Sequence, residues 1–425
     1  LNLKDCIKLY IDFNSNCIIR ECKFDINKAE NRLHIIVGLL KALDMIDKII
    51  AMIKQSESSS AAKQTLISWG FTDIQAQAIL DMKLSKLSKL DKMEKKENKD
   101  FLTTQIITYL GNKRSLLGNI EKEVIEIENK IGSKKLVCAD IFSGSGIVAR
   151  MLKKHSSKLI VNDLENYSSL INSCYLINKN DYPSEICAEF RKEIERKCEE
   201  KKYTGIISKN YAPQDDNNIL QGERVFYTHE NAVLIDTYRK LIDEIVNEES
   251  LKKFFLAPLI TEASIHVNTS GVFKGFYKDK DTGIGCFGAA GKNALTRILS
   301  KIQLKEPIFS NFNSELEIYQ KDAVDLSKEL KNLDIAYLDP PYNQHPYGSN
   351  YFMLNLIIKN KLDVEISKVS GITQDWNHSV FNKPSSALKS MEEIIASLSS
   401  KFVIISYNSE GFITFDEMSE MLKKY

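Results

Sequence analysis

The run Asp339-Pro340-Pro341-Tyr342 closes the apolar stretch IAYL. Two consecutive prolines remove N–H donors and stiffen the backbone, so the Asp339 carboxylate and the Pro340 carbonyl can both point as acceptors at one amino group. An aromatic amino nitrogen is a weak nucleophile because its lone pair is delocalised into the ring. Two acceptors that draw it toward pyramidal geometry return the lone pair for attack. Tyr342 offers a flat face on which a base can stack once it has left a duplex. The bland alternative is a Pro-rich turn after a strand, with Asp339 capping a neighbour.

A second constellation is Asp140-Ile141-Phe142-Ser143-Gly144-Ser145-Gly146, between apolar KKLVC and helical IVARMLKKH. Glycines at a strand-to-helix turn let backbone approach a ligand closely, and the new helix presents free N–H groups there. Such a short pattern is weak by itself. Asp163 lies about twenty residues on, at the end of the next apolar run, where an acid can accept both ribose hydroxyls of a nucleoside-containing cofactor.

These residues need strands to carry them. KKLVCADIF, LIVNDL (159–164), IAYLDPPY (335–342) and KFVIISYN (401–408) read as four strands, each ending in a polar residue. Helical patterns alternate with them, which predicts a parallel α/β sheet with its chemistry beyond the strand C-termini. Residues from about 170 to 315 interrupt the alternation with charged helices near Glu189–Lys202 and Tyr238–Lys253 and a glycine-rich, aromatic and basic stretch ending in AAGKN. Its Lys274, Lys278 and Lys280 stand among Phe273, Phe276 and Tyr277 as in a DNA-facing loop. The alternative is a solvated loop over a small apolar cluster.

The N-terminal part is different. Leu33, Ile36, Leu39, Leu40, Leu43, Ile46, Ile49 and Ile50 recur at three- and four-residue steps and predict one buried stripe on a long helix. A second helix stops at Trp69-Gly70, and Thr72 or Asp73 caps a third that carries Ile79, Met82, Leu84, Leu87 and Leu90.

At 425 residues two or three domains are expected. With 58 basic and 57 acidic residues, net charge gives no argument for nucleic acid, so any basic surface must be local. The eight cysteines and six histidines are scattered without metal-ligand spacing, so we expect reduced thiols and no metal. No apolar run reaches membrane-spanning length and no leader pattern is visible, so the cytoplasm is the expected compartment.

On these motifs residues 105 to 425 resemble the D12, or alpha, class of N6-adenine-specific DNA methyltransferases. The match extends through DPPYNQHPYGSNYFMLNLI and includes Tyr109-Leu110-Gly111-Asn112-Lys113 ahead of the glycine turn. The resemblance implies a Rossmann-like fold with an inserted DNA-recognition domain and S-adenosylmethionine as cofactor. It implies cofactor roles for Tyr109, Asn112, Lys113, Asp140, Phe142, Gly144, Gly146, Asp163 and, at the adenine ring, Asp322. Catalysis would fall to Asp339, Pro340, Pro341 and Tyr342, and contact with the flipped base to Tyr407 and Asn343. It also implies double-stranded DNA as substrate, a cognate restriction endonuclease as associate, and a final β-hairpin whose place FITFDEMSEMLKKY does not fill. N4 of cytosine is the alternative acceptor.

The first hundred residues resemble the tower helix and exit-gate globule of the gyrase and topoisomerase IV A subunit, on CKFDINKAENRLHIIVGLLKALDMIDKIIAMIK and QAQAILDMKLSKLSKL. That family dimerises here, which implies a homodimer through residues 1–95. A DNA-binding scaffold without turnover is the alternative from another class. The expected organisation is an all-α segment over 1–100, a catalytic domain over 101–169 and 316–425, and a recognition insert over 170–315.

Overall fold

The structure, a computed structural model, describes residues 3–43, 45, 48–49, 52–53, 56, 58–81, 84–288 and 294–425. Ile46, Ile50, Met82 and the AAGKN segment lie outside the described residues, as do the side chains of Leu43, Leu84, Leu87 and Leu90. The chain divides into two compact units, 1–94 and 95–425.

In the first unit, helix Leu3–Leu43 turns Gly38, Leu39 and Ala42 toward helices Ser59–Ser68 and Asp73–Leu80. Ser59–Ser68 ends at Trp69 with Gly70 at φ 86°, and Thr72 forms a capping box with Gln75. The stripe expected to be buried is split. Leu39 packs inward, whereas Leu33, Ile36 and Leu40 are exposed together with Val37. A short globule covers only one side of so long a helix.

In the second unit five parallel strands form a sheet of order β3-β2-β1-β4-β5: β1 Leu136–Asp140, β2 Ser156–Asn162, β3 Glu315–Tyr319, β4 Leu333–Leu338 and β5 Ser400–Ile405. Alternation along the strands sends Leu136, Cys138, Leu159, Val161, Ile335 and Tyr337 into one core with helices Leu117–Ile131 and Ile147–His155. It sends Ala139, Ile160, Ala336 and Leu338 into another with Ala323–Glu329, Pro384–Ser397 and Phe415–Leu422. After β5 the chain enters helix Phe415–Leu422 rather than a hairpin strand.

The interruption holds helices Ser184–Glu200, His229–Ile245 and Glu249–Ile265, so the helix expected at Tyr238–Lys253 is two, broken at 246–248. Their core is continuous with Ile106, Ile107, Tyr167, Ile171 and helix Phe352–Lys359. A loop pair bridged at Lys278 and Gly285 follows, tied down by buried Asn268, which donates to Val225 O and Cys286 O and accepts from Gly288 N.

Candidate active site

Register fixes the site. Asp140 of β1 lies level with Val161 of β2 and Tyr337 of β4, so Asp163 and Asp339 each sit two residues beyond that level. Between β1 and β4 the connections diverge, which leaves a crevice at their C-terminal ends. A cleft of about 880 Å³ opens there.

The glycine turn forms one wall. Gly144 adopts φ 51°, and its N–H donates to Asp163 Oδ2 at 2.7 Å while Glu165 N donates to Oδ1 at 2.9 Å. A Cβ at Gly144 would stand 2.7 Å from the Tyr109 ring. Beneath the turn, Ser143 Oγ donates to Asn162 O, Ser168 Oγ to Gly144 O, and Asn172 Nδ2 to Ser143 Oγ. Gly146, at φ 74°, is not among the lining residues, and a Cβ there would collide with the Asn172 carboxamide. A side chain at Gly146 is therefore excluded first by packing against helix Asn166–Tyr175.

Of the carboxyls that face this crevice, Asp140 and Glu165 are buried and Asp163 and Asp339 half-buried. Burial, with Asp339 and Asp163 nearby, pushes Asp140 well above the usual carboxylate range against the neighbouring backbone N–H groups of Phe142 and Ala149, neither of which makes a well-formed hydrogen bond to its oxygens. Burial also raises Asp163, against the backbone N–H groups that favour its charge. Asp339 is pushed up to about 6 by burial, opposed by Lys113, whose Nζ stands 2.7 Å from Oδ2. Glu165 rises to about 7 through burial and the neighbouring Asp163.

Of the residues expected at the cofactor, Tyr109, Asn112, Lys113, Asp140, Phe142, Gly144, Asp163 and Asp322 line the cleft, with Asp339 and Pro341. Asp322 also caps helix Ala323–Glu329 through Val324 N. Pro340 and Tyr342 are not among the lining residues, although Tyr342 Oη would stand 3.9 Å from a Cβ on Gly111. Asn343 spends its carboxamide oxygen on His345 N. Tyr407 accepts from Ile413 N and lies against Gly411, so it braces the turn after β5. Lys274 Nζ lies 3.2 Å from His345 Nδ1, while Lys278 and Lys280 are exposed.

Sequence reasoning missed Glu165, Tyr347, Asn377, Ser379, Phe381 and Asn382, which also line the cleft. Tyr347 lies within the extended DPPY stretch, so the resemblance carried a signal for it. The other side chains of loop 373–382 carried none. Phe381 meets Phe142 edge-to-face at 5.4 Å, and Asn382 Nδ2 donates to Asn343 O.

A parallel sheet with a glycine turn after β1, an acid after β2 and Asp-Pro-Pro-Tyr after β4 is the arrangement of a methyltransferase. Residues 109–421 match the D12 class N6 adenine-specific DNA methyltransferase family, and the chain belongs to it. It is similar to Type II methyltransferase M.NlaIII of Neisseria lactamica, 28% identical over 326 residues that cover 75% of this chain and 88% of that protein. It resembles equally Type II methyltransferase M.CviAII of Paramecium bursaria Chlorella virus 1, 28% identical over 327 residues, 75% of this chain and 88% of that one. Residues 1–125 match the family of the DNA gyrase/topoisomerase IV A subunit. The gyrase A protein of Lawsonia intracellularis is 39% identical over 132 residues, 30% of this chain and 16% of that protein. The enzyme is thus an adenine-specific DNA methyltransferase with a gyrase-like segment ahead of it.

Proposed function

We propose that the enzyme moves a methyl group from S-adenosylmethionine to N6 of an adenine in duplex DNA, as the modification partner of a restriction endonuclease in the cytoplasm. The observation that carries this reading is the trio Asp140, Asp163 and Asp339 around one cleft, with no well-formed hydrogen bond to either Asp140 oxygen among the described residues. Carboxyls so placed call for a cation. S-adenosylmethionine supplies an electrophilic methyl on a sulfonium, and its ammonium and ribose hydroxyls suit this donor set. Asp140 would take the ammonium. Asp163 keeps lone pairs for ribose hydroxyls beyond the two N–H groups it accepts. Tyr109, Asn112, Lys113, Phe142, Gly144 and Asp322 would enclose the rest.

Asp339 and the Pro340 carbonyl would receive the N6 amino group, whose approach displaces the Lys113 ammonium from Oδ2. Each N–H held by an acceptor favours the pyramidal nitrogen that attacks. The nitrogen would become positive as it takes the methyl from the sulfonium, whose carbon–sulfur bond breaks to leave a neutral thioether, and it would then lose a proton to Asp339. A carboxyl raised to about 6 takes that proton more readily than an ordinary one. Tyr342 would stack on the base, while Tyr407 and Asn343 shape the loops beneath it.

The insert over 170–315 would supply sequence recognition, with Lys274, Lys278 and Lys280 contacting phosphates. The all-α segment would pair two chains through residues 1–95. Mass spectrometry of nucleosides from plasmid DNA incubated with the protein and S-adenosylmethionine tests the reaction. N6-methyladenine is expected, and its absence, or N4-methylcytosine in its place, overturns the reading.

A further inference from the structure

The strap 109–113 touches both halves of the site. Its Tyr109 ring abuts Gly144, and its Lys113 reaches Asp339. Something must hold so short a segment in both places, since Gly111 alone, at φ 73°, turns the chain without fixing it. Two tyrosines from the far side of the Pro-Pro turn do so. Leu110 N donates to Tyr351 Oη at 2.6 Å, and Tyr347 Oη donates to Leu110 O at 3.1 Å. One residue of the strap is therefore gripped at both its backbone polar groups. The rings add to the grip, because Tyr109 stacks on each of the two at 5.0 Å, with interplanar angles of 16° and 17°. Lys113 Nζ then folds back on Gly111 O at 2.8 Å while it pairs with Asp339.

We propose that Tyr347 and Tyr351 are positioning residues of the methyl-transfer site, which clamp the Leu110 backbone and thereby deliver the Lys113 ammonium to Asp339. This rests on the reading of Asp339 as the amine acceptor. The clamp gives Lys113 a defined task in the enzyme before DNA arrives: it keeps a half-buried carboxyl ionised and ready to accept. The charged and titratable groups facing Asp339 are Lys113 from the strap, Asp140 at the end of β1, Tyr337 in β4 and Tyr347. Lys113 is the cation among them, and Asp140 acts in the opposite sense. Loosening the strap therefore moves the titration of Asp339 upward, and the loss falls at the acid end of the pH range.

The test uses the full chain with carboxyl-labelled aspartate, the Asp339 resonance being assigned with Asp339→Asn. Lys113→Met is expected to raise the Asp339 midpoint by about one pH unit or more. Tyr351→Phe and the pair Tyr347→Phe/Tyr351→Phe keep the stacked rings and should raise it part of that way. In the Lys113→Met background the same tyrosine changes should add nothing, because they act through the lysine. In kcat/KM for DNA, which reports the free enzyme, the acid limb should move with the carboxyl. An Asp339 midpoint that moves in Lys113→Met but not in the tyrosine variants overturns the clamp, as does a shift that persists in full without Lys113. A wild-type protein that methylates no adenine would sink the functional reading instead, and the carboxyl titration would still decide the clamp.

Discussion

Asp339 concentrates the proposed chemistry of the site in one side chain. Replacing it by Ala should leave S-adenosylmethionine binding within a few-fold, because in the proposed reaction the carboxylate meets the amino group rather than the cofactor. Methyl transfer should fall by roughly 10²-fold to 10⁴-fold, since the acceptor is needed most in the transition state. Calorimetric titration and single-turnover kinetics separate the two effects. The glycines make a contrast of the same kind. Gly144→Ala drives a Cβ into Tyr109 and should weaken cofactor binding, whereas Gly146→Ala collides with Asn172 and should lower the melting temperature. Both positions have positive φ, so each change also carries backbone strain of about 1 kcal/mol or more. Equal effects of the two on cofactor affinity would contradict the division. Glu165 offers a pH test. Its folded pKa of about 7 lies above the ordinary value, so the ligand-free protein gains stability from it as pH falls and loses that gain as pH rises through 7. Glu165→Gln keeps an acceptor for Asn355 Nδ2 and should stabilise the protein by about 2 kcal/mol at pH 8, with little change at pH 5. Thermal melts at the two pH values check this.

Elements explain what could be read ahead of the structure. Asp140, Asp163 and Asp339 were legible because each follows a buried run of strand-forming residues, and a parallel sheet puts such ends on one edge. β3 was not, since Glu315–Tyr319 carries two acids and lies half-covered at the sheet's edge, where little burial marks the pattern. The break at 246–248 was missed because Val246-Asn247-Glu248 holds no proline or glycine to mark it. Loop 373–382 carries no period at all, and Asn377 and Phe381 reach the cleft only through tertiary packing. The basic hairpin region shows how an element can be tested as a unit. Asn268 holds Val225 O, Cys286 O and Gly288 N from a fully buried position. Asn268→Ala should cost about 2 kcal/mol or more by stranding those groups, and should weaken DNA binding while leaving S-adenosylmethionine binding intact. A gel-shift series alongside calorimetry measures both, and unchanged DNA affinity would remove the hairpin from the DNA interface.

For the whole molecule the open question is what covers the outer face of the first helix. Leu33 is 59% exposed, Ile36 44%, Val37 52% and Leu40 57%. Their three- and four-residue spacing puts them on one face, opposite the Gly38, Leu39 and Ala42 side that packs on the globule. Ile18, Ile19 and Ile26 lengthen this exposed apolar face toward the N-terminus. A contiguous apolar face of this kind marks an association surface more often than solvated helix. Self-pairing about a two-fold axis covers it on both copies at once, and the gyrase-like match over residues 1–125 is consistent with such pairing. Two catalytic units would then share one core, which suits paired adenines on opposite strands without requiring them. The full chain should sediment as a dimer at micromolar concentration, with or without DNA. Leu33→Glu with Leu40→Glu should shift it to monomer while leaving the melting of the 95–425 unit unchanged, because both residues belong to the first unit. A wild-type chain that stays monomeric across that range would show that this face serves another partner.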